Sequence, residues 1–319
     1  MRVHKYGLVV LSIALFAIAK CSWSQNPVYP TKPVRILTTD PGSGGDLVSR
    51  LMAPTLASSL GQQFIVDNRG IISGQVASKS PPDGYTLLAF GSSLWLGPLL
   101  HDNVPYDVAR DFAPITMAAS SPNILVVTPT FPVKSVRELI ALAKARPAEL
   151  NYGASGAGSS NHLSAELFKS MAGVNIVRVF YKGPGAAMTD LISGQVQLMF
   201  VAAASGMPHV KTGRLRALAI TTAGPSALAP GMPTVASSGL PGYESILTLA
   251  LFAPSGTPSA IVSRLNQEMV RSLNRDEVRD RLLLTGTEVI ASTPEQCGTV
   301  IKSDISKWGR IIKDAGIRD

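Results

Sequence analysis

The sequence predicts an α/β protein with a mainly parallel sheet, and three observations carry that expectation. Short apolar runs alternate with amphipathic stretches along the chain, the sequence form of strand-helix-strand units. The 28 Gly and 23 Pro are scattered without a period, which excludes collagen-like and low-complexity classes and supplies turns between short elements. The 319 residues exceed the roughly 250–300 at which one hydrophobic core stops growing, so two lobes are expected. At 45% apolar and 16% charged residues, the chain is also too apolar to be disordered.

The first element reads as a targeting segment. Arg2, His4 and Lys5 form a basic start, Gly7 to Ala19 an apolar stretch too short to span a bilayer, and Ser22-Trp23-Ser24 a small-x-small cleavage pattern. Residues 1–24 are therefore read as a signal peptide removed before Gln25, which places the mature chain in the periplasm. Cys21 could instead open a lipoprotein, but Lys20 stands where lipidation needs a small residue. Cleavage leaves Cys297 as the sole thiol, so no internal disulfide is expected. It also removes three basic residues from the formal charge of +8; without a Lys/Arg run and with few aromatics, the remainder is a poor footprint for nucleic acid.

Val34 to Thr38 reads as the first strand, followed by the loop Asp40-Pro41-Gly42-Ser43-Gly44-Gly45 and a helix from Asp46 to Leu60, interrupted at Pro54 and stopped by Gly61. Phe64 to Asn68, Thr86 to Ala89 and Ile124 to Thr128 read as strands. Ser135 and Glu138 form a capping box that opens a helix to Ala145. Leu150 to Gly153, Asn175 to Phe180, Leu198 to Val201, Ala217 to Thr221 and Leu247 to Ala253 continue the strand series. Near the C-terminus Ile261, Leu265, Met269 and Leu273 make one helical stripe. Cys297, Ile301, Ile305, Trp308 and Ile312 make another behind a cap at Thr293, and both stripes read as core.

One arrangement recurs. A strand runs into a Gly/Ser loop and then a helix at Asp40 to Asp46, at Gly153 to Ser160, and more weakly at Tyr181-Lys182-Gly183-Pro184-Gly185. Glycines let the backbone approach a ligand while unpaired N–H groups of a helix start point at it, so such loops favour anions. The hydroxyls of Ser43, Ser155, Ser159 and Ser160 add donors. A tight strand-to-helix connection is the commoner meaning of a single such loop; two far apart in one chain suggest helix starts facing a shared cleft.

Enzyme motifs are mostly absent. There is no Gly-x-Ser-x-Gly elbow, phosphate loop, His-Glu-x-x-His or paired Cys-x-x-Cys, and no metal-ligand spacing links His101, His162 and His209. No catalytic residue, metal or cofactor is expected. His162 lies in a helix start, where it either orients a ligand or caps and packs; His101 and His209 read as surface or loop residues. Ser159, His162 and Asp190 are the residue types of a secreted serine hydrolase, the competing functional class, but Ser159 and His162 on one helical turn would need an unusual geometry.

Further runs carry a family resemblance. Tyr29-Pro30-Thr31-Lys32-Pro33-Val34-Arg35, Pro41-Gly42-Ser43-Gly44-Gly45-Asp46, Val66-Asp67-Asn68-Arg69, Pro82-Asp83-Gly84-Tyr85-Thr86, Asp111-Phe112-Ala113-Pro114 and Leu251-Phe252-Ala253-Pro254-Ser255-Gly256-Thr257-Pro258 occur in order over the mature chain. Together with Leu150-Asn151-Tyr152 and Tyr181-Lys182-Gly183, they resemble the Bug-type receptors of the tripartite tricarboxylate transporter family. The resemblance implies a two-lobed type II periplasmic binding protein fold, each lobe a mainly parallel sheet flanked by helices. It also implies a receptor, not an enzyme, that captures a small carboxylate-bearing solute for membrane permease subunits; a sensor reporting to a signalling partner is the alternative. We expect a monomer with residues 129–245 as a second lobe inserted into a first made of 25–128 and 246–319. Carried over, the ligand loops fall on Asp40, Gly42, Ser43, Gly44 and Gly45, on Ser92 and Ser93, and on Ser155, Gly156, Gly158, Ser159 and Ser160, with His162 beside them. Two departures stand out. The first loop is one residue short, and Val201-Ala202-Ala203-Ala204 stands where many members have an acidic residue, which makes the far end of the pocket more apolar. Asp40, if turned inward, could hold an ammonium. Trp95 either lines the cleft beside Ser93 or packs under the sheet.

Overall fold

In the computed structural model, which describes residues 29–156, 158–314 and 316–317, strand β1 (Val34–Thr38) is almost wholly buried and feeds helix α1 (Gly44–Leu60). The expected signal peptide, residues 1–24, lies outside the described residues. Ser43 caps α1 by accepting from the Asp46 N–H at 3.3 Å, and Gly61 ends it at φ +72°, a conformation that favours glycine. The helix continues through Pro54 instead of breaking there. That residue faces solvent, so the carbonyl that its missing N–H leaves unpaired is open to water.

Strand β2 (Phe64–Asn68) and the short α2 (Ser73–Ser78) follow, then β3 (Thr86–Gly91), α3 (Ser93–Leu100) and α4 (Val108–Asp111). Next comes the longest strand, β4 (Phe112–Val127), which begins twelve residues before the expected Ile124. Helix α5 (Val136–Ala145), β5 (Asn151–Ala154), α6 (Ser160–Ala172), β6 (Val177–Phe180), α7 (Pro184–Ser193), β7 (Leu198–Ala202), α8 (Ala203–Lys211) and β8 (Arg216–Ile220) make the middle of the chain. It closes with β9 (Ile246–Pro254), α9 (Ser259–Leu273), α10 (Asp276–Leu284), β10 (Glu288–Val289) and α11 (Pro294–Asp314).

From Lys32 onward the chain forms one compact unit. The strand order β2-β1-β3-β9-β4-β7-β5-β6 makes a curled sheet flanked by helices. The outer strands of each half pair in parallel, β1 with β2 and β3, β5 with β6 and β7. The joining strands β4 and β9 run antiparallel to their neighbours. Strand β4 changes partners along its length: Phe112 to Pro122 pairs β9, whereas Asn123 to Val127 pairs β7 and β8. The changeover falls at Pro122, which has no N–H to give to a ladder.

The two C-terminal stripes are core, as their spacing implied. Leu265, Met269 and Leu273 are buried, as are Cys297, Ile301, Trp308 and Ile312, while Ile261 and Ile305 are half-buried at the margins. Thr293 and Gln296 cap α11 reciprocally, at 3.2 and 3.0 Å. Trp95 resolves to packing: it is 1% exposed, meets Phe252 edge-on at 6.3 Å and donates its indole N–H to Asp304 at 3.2 Å. Among the described residues no helix is long and apolar enough to cross a membrane.

Candidate functional site

The β1–α1 loop is held from inside. The Asp46 carboxylate accepts from the Gly42 N–H at 2.9 Å, Arg50 Nε at 2.8 Å and Asn68 Nδ2 at 2.9 Å. Burial alone would raise its pKa, but the hydrogen bonds from Gly42 and Asn68 and the Arg50 charge hold it below the usual carboxylate range. Asp46 is thus spent on shaping the loop. Ser43 Oγ accepts twice, from the Asp46 N–H and from Thr39 Oγ1 at 2.7 Å, which leaves its own proton to donate outward. Gly44 and Gly45 are the first two helical residues, whose N–H groups have no partner one turn back. Of the two, packing requires glycine at position 45. A Cβ on Gly45 would overlap Thr38 Oγ1 and lie 3.0 Å from the Ala89 carbonyl oxygen, whereas one on Gly44 would enter open space.

A cavity of about 200 Å³ lies beside this helix start. Ser43, Gly44, Gly45 and Ser93 line one side of it, Ser120 and Ser121 of β4 and Thr248 of β9 another. The buried Thr248 hydroxyl has no hydrogen-bond partner among the described residues, the kind of group that a ligand or water satisfies. Ser92 is buried and does not line this cavity; its N–H donates to the Thr248 carbonyl at 3.0 Å and its own carbonyl accepts from the Leu96 N–H.

The second half repeats the device with different wiring. Helix α6 begins at Ser160 after the cap position Ser159. Asn161 Oδ1 gathers the Ser155 hydroxyl at 3.1 Å, the Ser159 hydroxyl at 2.5 Å and the His162 N–H at 2.9 Å. Of the three hydroxyls read from sequence as extra ligand donors in this half, those of Ser155 and Ser159 are occupied, and the open donors are the Ser160 hydroxyl and the main-chain N–H groups of the helix start. Arg178 donates to the Ser155 carbonyl at 2.6 Å, and Asn123 Nδ2 ties β4 to Ser160 O and Ser164 Oγ at 3.3 and 2.9 Å. His162 is 3% exposed, and its Nδ1 accepts from the Gly158 N–H at 3.2 Å. Burial, then the Arg178 charge, pushes its pKa down to about 4, so the ring is neutral at pH 7.

Ser155, Ser159, Ser160 and Asn123 face a cavity of about 290 Å³, joined by Pro184 and Gly185 at the start of α7. Each cavity is at or below the roughly 300 Å³ at which ligand pockets begin, so neither makes a full site alone. They adjoin along β4, since Ser121 lines one and Asn123 the other, about 7 Å apart at strand spacing. A larger cavity of about 600 Å³ lies beside Phe112, Phe252 and Ile301, but the helix start that meets it carries Glu295, which opposes an anion.

Of the residues expected from sequence, Ser43, Gly44, Gly45 and Ser93 meet in the first cavity and Ser155, Ser159 and Ser160 in the second. Asp40, Gly42 and Gly156 are exposed and line neither; Ser92 and His162 are buried and line neither. Gly158, at φ +71°, faces the Leu100 side chain at the end of α3, so a Cβ there would collide with Leu100. Sequence reading missed Asn123, Asn161, Thr248, Ser205 and His209. Asn161 alone had a local signal, standing two residues after a cap serine. The hydrolase arrangement is not assembled: Ser159 Oγ is bonded to Asn161, His162 Nδ1 to Gly158, and Asp190 accepts from the Tyr181 hydroxyl at 2.8 Å. No group of three or more His, Cys, Asp or Glu among the described residues could hold a metal ion.

Comparison with known proteins shows the family. Residues 48–317 match the family described as the tripartite tricarboxylate transporter family receptor. The chain is 34% identical to Protein BugT of Bordetella pertussis over 297 residues, covering 91% of each chain. The Rhodopseudomonas palustris protein Rpa4515, solved with adipate, is 37% identical with a TM-score of 0.73 over 91% of this chain and 99% of that one. MatC of the same organism, solved with malate, is 27% identical with a TM-score of 0.70 over 89% and 100%. These relatives are solute-binding receptors and not enzymes, and their shared fold is that of periplasmic binding proteins. The chain belongs to the receptors of the tripartite tricarboxylate transporter family.

Proposed function

We propose that this receptor works in the periplasm after removal of residues 1–24, as a monomer. In this reading it captures a small organic carboxylate between residues 129–245 and a lobe made of 25–128 and 246–319, and presents it to permease subunits. The observation that carries the site is the convergence of helix starts, with open N–H groups at Gly44 and Gly45 and at Ser160 and Asn161, on cavities that adjoin along β4. The change of partners in β4 at Pro122, shortly before the lobe boundary, supports the partition. The adipate and malate of the solved relatives support the ligand class.

A thermal-shift screen over mono-, di- and tricarboxylates, followed by calorimetric titration and recovery of the ligand, tests it. A ligand at a hundred times its Kd stabilises by about 2.7 kcal/mol, which at roughly 2 °C per kcal/mol raises Tm by about 5 °C. The expected result is one equivalent bound and recovered unchanged. A screen in which no carboxylate raises Tm, or in which the ligand is consumed, refutes the reading.

A further inference from the structure

The second cavity has a second polar end. His209, which sequence reading took for a surface or loop residue, lines it from α8, and Ser205 lines it from the same helix one turn earlier. Residues four apart lie on one helix face, so the two side chains present neighbouring donors. The His209 backbone is anchored: its carbonyl oxygen accepts from the N–H groups of Arg214 and Leu215 at 2.9 and 3.2 Å and from Thr212 Oγ1 at 3.2 Å. Its half-buried ring is not anchored, with no hydrogen bond to either nitrogen among the described residues. Met188 and Met199, two apolar side chains, line the same cavity. Among the described residues, His209 is also the one ionisable side chain in the lining of either cavity; no Asp, Glu, Lys or Arg lines them.

We propose that His209, seconded by Ser205, is a specificity-determining residue that takes the distal carboxylate of an aliphatic dicarboxylate. The proximal carboxylate is gripped by the helix starts, and solutes bearing an ammonium are turned away. This rests on the reading of the cleft as a carboxylate site. An imidazole offers a ring N–H, and among the described residues the lining of this cavity holds no Lys or Arg to meet a second anion. An ammonium taken into the same space would leave water without a carboxylate to pair with, and an unpaired buried charge is strongly disfavoured.

The test is calorimetric titration of the mature receptor and of His209→Ala and His209→Gln with matched probes: adipate against hexanoate, glutarate against pentanoate, and adipate against 2-aminoadipate. The wild type is expected to bind its better dicarboxylate at least about tenfold tighter than the matched monocarboxylate and than the amino derivative. His209→Ala should lose about tenfold on the dicarboxylate and less than about twofold on the monocarboxylate, with His209→Gln recovering part of the loss through its amide N–H. Equal losses on both acids, no loss on either, or undiminished binding of 2-aminoadipate overturns the proposal while leaving the carboxylate site standing. A wild type that binds none of these acids, nor any in the thermal screen, overturns both.

Discussion

Gly44 and Gly45 are adjacent, chemically identical and held for opposite reasons, so substituting them separately should split stability from binding. Gly44 lines the cavity beside Ser43 and Ser93, and a Cβ there meets nothing within 4 Å. Gly44→Val is therefore expected to unfold within about 0.5 kcal/mol of wild type, as surface changes do, while losing at least about tenfold in affinity because the isopropyl group occupies the space of the ligand. At Gly45 the new Cβ would overlap Thr38 Oγ1 and sit 3.0 Å from the Ala89 carbonyl oxygen. The second of these neighbours is backbone in β3 and cannot swing away, so the start of α1 has to lift off the sheet. Overpacking of this kind costs about 1–3 kcal/mol, or a fall in Tm of roughly 2–4 °C per kcal/mol. Thermal unfolding by circular dichroism gives the first quantity and calorimetric titration the second. A folded Gly44→Val protein that binds as tightly as wild type, or a Gly45→Ala protein with unchanged Tm, would show that the helix start does not sit against the sheet and ligand as described.

Gly158→Val is expected to lower Tm by several degrees, because it strains a φ of +71° and drives a side chain into Leu100; a variant with wild-type Tm and lost binding would place that position at the ligand instead. His162 makes stability depend on pH: the unfolded imidazole takes its proton near pH 6.5 and the folded one only near 4, so between these values the unfolded state binds more protons and stability falls as pH is lowered. The loss is at most about 3 kcal/mol, complete below pH 4, and urea titrations at pH 7 and 4.5 should show a smaller drop for His162→Gln than for wild type, equal drops refuting the account. The Cys297 thiol is fully buried, and burial pushes its pKa up to about 12, so a thiol reagent at pH 8 should label Cys297 only in denaturant. Fast labelling of the folded protein would mean that α11 opens readily.

Where the physics is local, the sequence was readable. Ser43 and Gly61 bracket α1, Thr293 and Gln296 open α11, and β1 and β2 end where the apolar runs end. Where tertiary contacts decide, it was not. Pro114 and Pro122 argue against a strand, yet β4 runs through both, since its register with β9 shifts next to the first and its partners change at the second. Helix α8 hides in Ala203-Ala204-Ser205-Gly206, with Pro208 inside it, so nothing in the sequence placed His209 against a cavity. The Gly/Ser loops were legible as loops leading into helix starts, because glycines and caps are local signals. Which serine hydroxyls are already spent depends on Asn161 and Thr39, and that only the folded loops determine.

The scarcity of formal charge in the cavity walls bears on kinetics as well as on selectivity. Dipoles at helix starts act at hydrogen-bond range and fade within a turn, so the site casts little long-range field of its own. Solute arrival is then unsteered by the site, with an association rate that changes little as ionic strength rises past the point where the Debye length falls below about 10 Å. Discrimination between one anion and another must be written in the dissociation rate, that is, in how well each solute fits the donors once it has arrived. On the proposed reading, a receptor that grips through its main chain keeps its selectivity in dilute and in salty surroundings alike.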